Sequence, residues 1–508
     1  MPEYDAVVIG AGNGGLSAGA QLAASSVKVL VLEQHNLPGG LATSFVRGRF
    51  EFEATLHELG NVGSRENKGG IRRLLEDGLG AKVDFVPVPE AFRLIITDED
   101  LDVTMPFGVD AYLDAIEEAV PGSRSSVSEY LELCKEATVG TGHLFKSKGH
   151  IDETVLKSEY SKFLKCAGYS YEKVTSRLGL PDKARKILDA YWLYLAVPPS
   201  RMAFSVYGAM LYIFLIHGAY VPRFRSHELS VAMEKRIRDC GGAVEFNTRV
   251  DKILVENGRV VGVETAQGDR ITTNHVICNA SPTLAYNYLI HPKSEVPEVA
   301  YKNVNARIEG VSSFVVYLGL DASPEELGLS EYSYFIHDHM DLERLYASLS
   351  NLFNPQAQAC ICLNAAIPDC SPPGTTLLSL TGVYQLGVWE TVKPENYVTI
   401  KRKVAEQFID KFEKAMKTNV RDHIEEIEIA TPQTFSRYTG AYKGNTYGYE
   451  LETWDSIITR IMAMEEERYI KGVRFTGGSA FLGPGYNSTL SSGRAAAIQT
   501  LGDMEGDK

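Results

Sequence analysis

Uninterrupted apolar runs, each closed by a turn, give the chain its first outline. Ala6-Val7-Val8-Ile9 carries no polar residue, the pattern of a strand buried on both faces. The cluster Gly10-Ala11-Gly12-Asn13-Gly14-Gly15 follows at once, and LSAGAQLAASS then reads as a helix of small residues. Lys28-Val29-Leu30-Val31-Leu32 predicts a second buried strand, ending at Glu33. Farther on, Val244-Glu245-Phe246 and Lys252-Ile253-Leu254-Val255 read as strands. Glu256-Asn257-Gly258-Arg259 is a hairpin turn, and Val260 to Glu264 is the returning strand. Gly268-Asp269 turns the chain again before Ile271 to Cys278, so this region predicts a β-meander ending in a buried strand. Near the C-terminus, Val473-Arg474-Phe475-Thr476 is a short strand, Gly477-Gly478 a tight turn, and Ser488 to Leu501 a second small-residue helix.

Met202 to Val221 has no Asp, Glu, Lys or Arg and is long enough to cross a bilayer as a helix. It also holds Ser205, Tyr207, Gly208, His217 and Gly218, and no second such run exists. A single span in mid-chain would split one fold across a membrane, so the expectation is a buried helix or helix pair. Such a wall beside a cofactor domain suits a tunnel for a long apolar substrate, and ordinary core packing explains the same residues.

At 508 residues the chain is long enough for two to four structural units of ~150 residues each. Its 65 acidic residues outweigh 51 basic ones, giving a net charge of −14 that repels phosphate backbones. Nucleic acid is therefore not an expected partner, and attachment to anionic lipid by charge alone is disfavoured. A peripheral membrane contact through a local apolar patch stays open, as does the oligomeric state. Seven cysteines, an odd number with no C-x-x-C pair, show no disulfide or zinc framework. Met1-Pro2-Glu3-Tyr4-Asp5 leads into the first strand without a basic leader, so the expected compartment is a reducing cytoplasm. His337-Asp338-His339 puts two imidazoles on one strand face without a third ligand, and no metal is expected. Cys360 and Cys362 read as core thiols.

The N-terminal glycines have the spacing G-x-G-x-x-G in the order strand, turn, helix, strand, acid, which marks a dinucleotide site. Gly10 permits the tight turn, Gly12 lets the backbone approach a pyrophosphate, and Gly15 allows close helix–strand packing. The free N–H groups at the helix start face the phosphates, and Glu33 accepts from a ribose diol. NAD and FAD both fit this motif. Glu33 followed by Gly39-Gly40 departs from a simple nicotinamide dehydrogenase and adds a second glycine turn, a feature of FAD binders. No second G-x-G-x-x-G follows a strand, so one dinucleotide is expected.

Three blocks, 5–60, 243–282 and 471–497, together resemble flavoprotein oxidoreductases of the amine-oxidase superfamily. Within it they are most similar to the branch of phytoene desaturases, carotenoid isomerases and retinol saturases. TPQTFSRYTGAYKGNTYGYE (431–450) resembles the segment before that branch's last block. The resemblance implies an α/β fold with a Rossmann-like, glutathione-reductase-type FAD domain that is discontinuous, over 1–95, 222–300 and 465–508. An α+β substrate domain with antiparallel sheet and helices would take 96–221 and 301–464. It implies non-covalent FAD held by Gly10, Gly12, Asn13, Gly14, Gly15, Glu33, Gln34, Gly39, Gly40, Leu41, Ala42, Val250, Gly477, Gly478, Ser479, Gly485, Tyr486 and Asn487. Val250 would offer its backbone to the adenine, and the last helix would aim its N-terminus at the flavin's pyrimidine edge. The chain departs from the family pattern at Gly478-Ser479, where many relatives carry an acid. It departs again at Glu53 and Thr55, in place of Asp and Gly, and at Pro222 to His227, in place of paired glycines.

By resemblance the protein is an FAD-dependent oxidoreductase acting on carbon–carbon bonds of a long apolar polyene, by desaturation, saturation or isomerisation. His57 would run beside the flavin as proton donor or ring orienter, or be a histidine bonded to backbone. Arg437, Tyr438, Tyr442, Lys443, Tyr447 and Tyr449 form an aromatic, partly cationic cluster that lines the pocket or stays a solvated loop, and Tyr486 caps the ring edge. Three alternatives use the same residues. A fatty-acid double-bond isomerase or reductase would need Arg437, Lys443 or Arg223 to hold a carboxylate. An amine oxidase would need an aromatic cage, and a non-catalytic flavin-containing lipid binder would bind without turnover.

Overall fold

The computed structural model describes residues 3–147 and 151–506, which leaves Met1 and Pro2 of the N-terminal reading outside the described residues. The apolar runs assemble into one parallel sheet in the order Ala243–Glu245, Val29–Leu32, Ala6–Ile9, Val276–Cys278 and Val473–Phe475. Alternate residues of these strands face opposite layers. Val8, Val31 and Ile277 pack against the helices Asn13–Ala24, Arg225–Asp239 and Tyr486–Gly506. Val7, Leu30 and Cys278 pack against a second sheet built on Val250–Glu256 and Arg259–Thr265. Cover on both faces is why the three central strands, Val29–Leu32, Ala6–Ile9 and Val276–Cys278, carry no charged residue.

The hairpin forms at the expected residues, with Asn257 and Gly258 both at positive φ and Glu256 paired with Arg259. That is the turn whose twist matches the strands it joins. The meander is shorter than the sequence suggests. Its first strand, Ala243–Glu245, follows the Arg225–Asp239 helix and pairs in parallel with Val29–Leu32, and Val276–Cys278 enters the same parallel sheet. A helical crossover returns the chain in the parallel direction, whereas a tight turn would reverse it.

The larger sheet has seven strands in the order Ile424–Ala430, Ser312–Leu320, Thr376–Tyr384, Ala357–Cys362, Ser333–His337, Phe92–Ile96 and Leu101–Met105. Every pairing is antiparallel except that of Ser333–His337 with Phe92–Ile96. One face is covered by the helix Tyr397–Met416, the other by Arg124–Lys146 and Phe204–His217. Two expected boundaries shift as a result. Residue 95 lies inside Phe92–Ile96, whose hydrogen bonds tie it to this sheet. Residue 300 lies inside the helix Glu298–Ala306, whose Ala300 and Val304 pack against the parallel-sheet core.

The uncharged run of 202–221 is the helix Phe204–His217, stopped by Gly218 and followed by the strand Ala219–Pro222. Among the described residues no helix is long and apolar enough to cross a membrane. Cys360 and Cys362 are fully buried, and His337 is buried in the strand core.

The first and last long helices meet through glycines. A Cβ on Gly493 would run into the carbonyl oxygen of Gly14, backbone against backbone. Gly493→Ala is expected to destabilise the protein by about 1–3 kcal/mol, the range for overpacking a tight contact, as measured by urea denaturation.

Candidate functional site

The C-terminal ends of four parallel strands converge on one point. Gly10 leaves the first strand at φ +90°, and the next helix starts at Asn13 with Gly12 as a cap that lends no side chain. Its first N–H groups are therefore free for a ligand. Glu33, at the end of the second strand, accepts from the N–H of Ala11 (2.6 Å) and of His35 (2.8 Å), so its carboxylate is held beside the glycine turn. The N–H of Gly39 donates to the carbonyl of Ala11 at 2.7 Å, which folds the second glycine turn onto the first. A side chain on Gly15 would strike the carbonyl oxygen of Gly10, and one on Gly14 would come within 2.6 Å of Asn279 Oδ1 and Thr476 Oγ1.

These residues open on a continuous cavity of ≈ 960 Å³. Of the residues expected to bind the cofactor, Gly10, Gly12, Asn13, Gly14, Glu33, Gln34, Gly39, Gly40, Leu41, Ala42, Val250, Gly477, Gly478, Ser479, Gly485, Tyr486 and Asn487 line it. Gly15 does not, since it packs beneath the turn. The Oδ1 atoms of Asn13, Asn279 and Asn487 are buried there without a hydrogen-bond partner among the described residues. Three orphaned acceptors beside a free helix start suit a ligand rich in both phosphate oxygens and N–H or O–H donors. Asn279 was not singled out in the sequence. It follows the strand Val276–Cys278 as Gly10 follows its own, and that position at the carboxyl end of a parallel strand was the available signal.

The cavity continues away from the glycines between Val206, Met210 and Ile213 of one helix and Val315, Ile361 and Val383 of the seven-stranded sheet. His57 and Glu58 border this apolar arm. The Nε2 of His57 is 2.8 Å from Ser333 Oγ, and its ring stacks on Phe335 at 5.6 Å. The histidine is thus held by a side chain where a backbone partner was one expectation. Burial pushes its pKa down to about 3, so it meets the cavity as a neutral ring. Glu58 behaves in the opposite sense. Burial raises it to about 8, the Glu90 carboxylate adds to the rise, and the Tyr194 hydroxyl donating at 2.9 Å opposes it.

Tyr486 stands at the start of the last helix, with its hydroxyl 3.1 Å from Thr55 Oγ1. Tyr438 lines the cavity near its rim, edge-on to His35 at 5.6 Å. Tyr442 and Tyr447 line it too, whereas Tyr449 is buried against Thr283. The candidate cations go elsewhere. Arg437 is exposed on the helix Pro432–Thr439 and does not line the cavity. Lys443 pairs with Glu390 at 2.9 Å, and Arg223 pairs with Asp84 and Asp369. Among the described residues, the one Lys or Arg lining the cavity is Arg249, beside Val250 at the glycine end.

The family model for flavin containing amine oxidoreductase matches residues 14–500. All-trans-retinol 13,14-reductase of Danio rerio is 26% identical, over 88% of this chain and 78% of that protein. The chloroplastic prolycopene isomerase of Daucus carota is 23% identical, over 99% of this chain and 80% of its own. Among solved structures, an oxidoreductase from Methanosarcina mazei superposes with a TM-score of 0.64 at 17% identity, over 97% of this chain and 99% of that one.

The neutral state of His57 has a consequence for stability. An unfolded histidine takes up a proton near pH 6.5, and the folded one refuses it until about 3, so this residue's contribution is present above 6.5 and lost as pH falls towards 3. His57→Gln, which keeps a partner for Ser333, is expected to flatten the decline in stability between pH 7 and 5, measured by urea denaturation at each pH.

Proposed function

The chain belongs to the family of flavin-containing amine oxidoreductases, and from that premise we propose that it works as a flavin-dependent oxidoreductase or isomerase on carbon–carbon double bonds of a long, apolar polyene. The observation that carries the reading is the cavity, which runs from a glycine cradle into an apolar arm bordered by no Lys or Arg among the described residues. A fatty-acid carboxylate would find no cation in that arm, because Arg437, Lys443 and Arg223 are exposed or paired away from it. A polyene makes no such demand. The two relatives, named for a retinol reductase and a prolycopene isomerase, support the same substrate class.

Bound non-covalently, FAD would rest on the Asn13–Ala24 helix start through its pyrophosphate and on Glu33 through its ribose. Asn279 and Asn487 would turn their free Oδ1 atoms to its donors. None of the seven cysteines lines the cavity, so no thiol is placed to attach it. The flavin supplies two-electron chemistry at carbon, while the protein supplies position, dryness and electrostatics. The Tyr486–Gly506 helix start favours negative charge near it, and the apolar arm aligns the substrate and excludes water.

Acid precipitation of the purified protein is expected to release FAD into the supernatant. In anaerobic visible spectra amines are expected to leave the oxidised flavin unbleached. After chemical reduction, all-trans-retinol or prolycopene should either reoxidise the flavin or rearrange without electron loss. Bleaching by an amine, or inertness towards both polyenes, would overturn the reading. Glu33→Ala is expected to weaken flavin binding ~10-fold or more, the scale of a lost charged hydrogen bond, as read by flavin absorbance per protein.

A further inference from the structure

Five carboxylates line the cavity at or beyond its glycine end, and four of them are tied into the fold, Asp251 by an ion pair with Arg249 at 2.8 Å. Glu33 is bonded through both oxygens to Ala11 and His35. Glu53 is bonded through both to Ser226, with Thr55 and Leu56 adding their N–H groups. Glu309 also keeps one oxygen, Oε1, without a partner among the described residues, but the residue is only partly buried and its Oε2 accepts from Asn445. Glu58 is different. It is 7% exposed, its Oε1 accepts from Tyr194 at 2.9 Å, and its Oε2 is buried with no partner among the described residues.

The side chains packed around Glu58 are mostly aromatic. Tyr191 and Tyr194 face it from the turn Ala190–Tyr194, and the neutral His57 precedes it in the chain. Tyr332 donates to the carbonyl of His57 and so holds the segment in place. The Glu90 carboxylate acts on it from farther along the chain, and repulsion between two acids favours the neutral form. At neutral pH the group is thus a carboxylic acid with one oxygen committed to Tyr194 and the other free to carry the proton.

Resting on the functional reading above, we infer that Glu58 is the proton donor to the substrate double bond. In saturation, the π pair of the C=C bond takes the Glu58 proton to form a C–H bond at one carbon, and the O–H bond breaks to leave a carboxylate. A reduced flavin held by the glycine cradle would supply the hydride equivalent for the neighbouring carbon and would end two electrons oxidised. Solvent restores the proton between turnovers. In isomerisation the proton returns to Glu58 after bond rotation and no electrons move.

The test uses flavin-loaded wild type, Glu58→Gln, Glu58→Asp and Tyr194→Phe, with all-trans-retinol and prolycopene as probes. Without substrate, infrared difference spectra of the wild type should show the carbonyl band of a neutral carboxyl at pH 7, fading as pH rises through about 8 and missing from Glu58→Gln. Wild-type turnover should fall across the same window, because the donor loses its proton there. Glu58→Gln should keep its flavin spectrum and its reduction by dithionite, yet lose ~10²–10⁴ in turnover, with partial recovery in Glu58→Asp. Tyr194→Phe removes the hydrogen bond that favours the carboxylate, so its alkaline limb should move to higher pH. An ionised Glu58 at pH 7, or wild-type turnover in a folded Glu58→Gln, overturns the inference. Should Glu58→Gln lose its flavin, the wild-type infrared titration against the turnover limb decides, and a mismatch overturns it. Wild type inert towards both probes overturns the functional reading, and this inference with it.

Discussion

The approach of Gly14 to Gly493 is the contact on which the site depends. It brings the first helix against the last, closing one sheet from strands that lie hundreds of residues apart in the chain. Both helix starts then face the same cavity, one through Asn13 and the other through Tyr486 and Asn487. Each start carries unpaired N–H groups and the positive end of a dipole, so their convergence makes a region suited to anionic oxygens. Any side chain at Gly14 would meet Asn279 and Thr476, and the convergence would be lost.

Beyond the cradle, the governing effect is the removal of water. The same low-polarity wall pushes a histidine and a carboxyl towards their neutral forms, so His57 loses a proton and Glu58 keeps one. An apolar substrate would meet two adjacent polar side chains, neither charged at neutral pH. That arrangement spares the protein the cost of a buried charge while keeping one transferable proton at the cavity wall.

Two of the three departures from the family pattern, at Glu53 and Thr55 and at Pro222 to His227, also touch one another. Glu53 accepts from the N–H and hydroxyl of Ser226 at the start of the helix Arg225–Asp239, so the two altered segments form a helix cap. Thr55 reaches the hydroxyl of Tyr486 at 3.1 Å. Changes scattered over the sequence are therefore one rearranged hydrogen-bond network beneath the cavity.

What the chain determined by itself is what local spacing can encode. Glycines after apolar runs, an acid after the second strand and an Asn-Gly hairpin mark turns and strand ends whose geometry involves only near neighbours. Of these, Glu33 and the glycines of the N- and C-terminal turns, Gly15 excepted, line the cavity, while the hairpin lies away from it. The parallel placement of Ala243–Glu245 and the docking of Phe92–Ile96 in the larger sheet depended on partners far along the chain. So did the fate of Arg437, Lys443 and Arg223, which the sequence offered as cations for a carboxylate and which the fold leaves exposed or paired with acids outside the cavity. Asn279 and Glu58 belong to the same class. The state of Glu58 follows from burial and from Tyr194, 136 residues away, and no local pattern carries either. A motif can specify a turn; the protonation of an acid is set by everything that surrounds it, and only the packed structure assembles that.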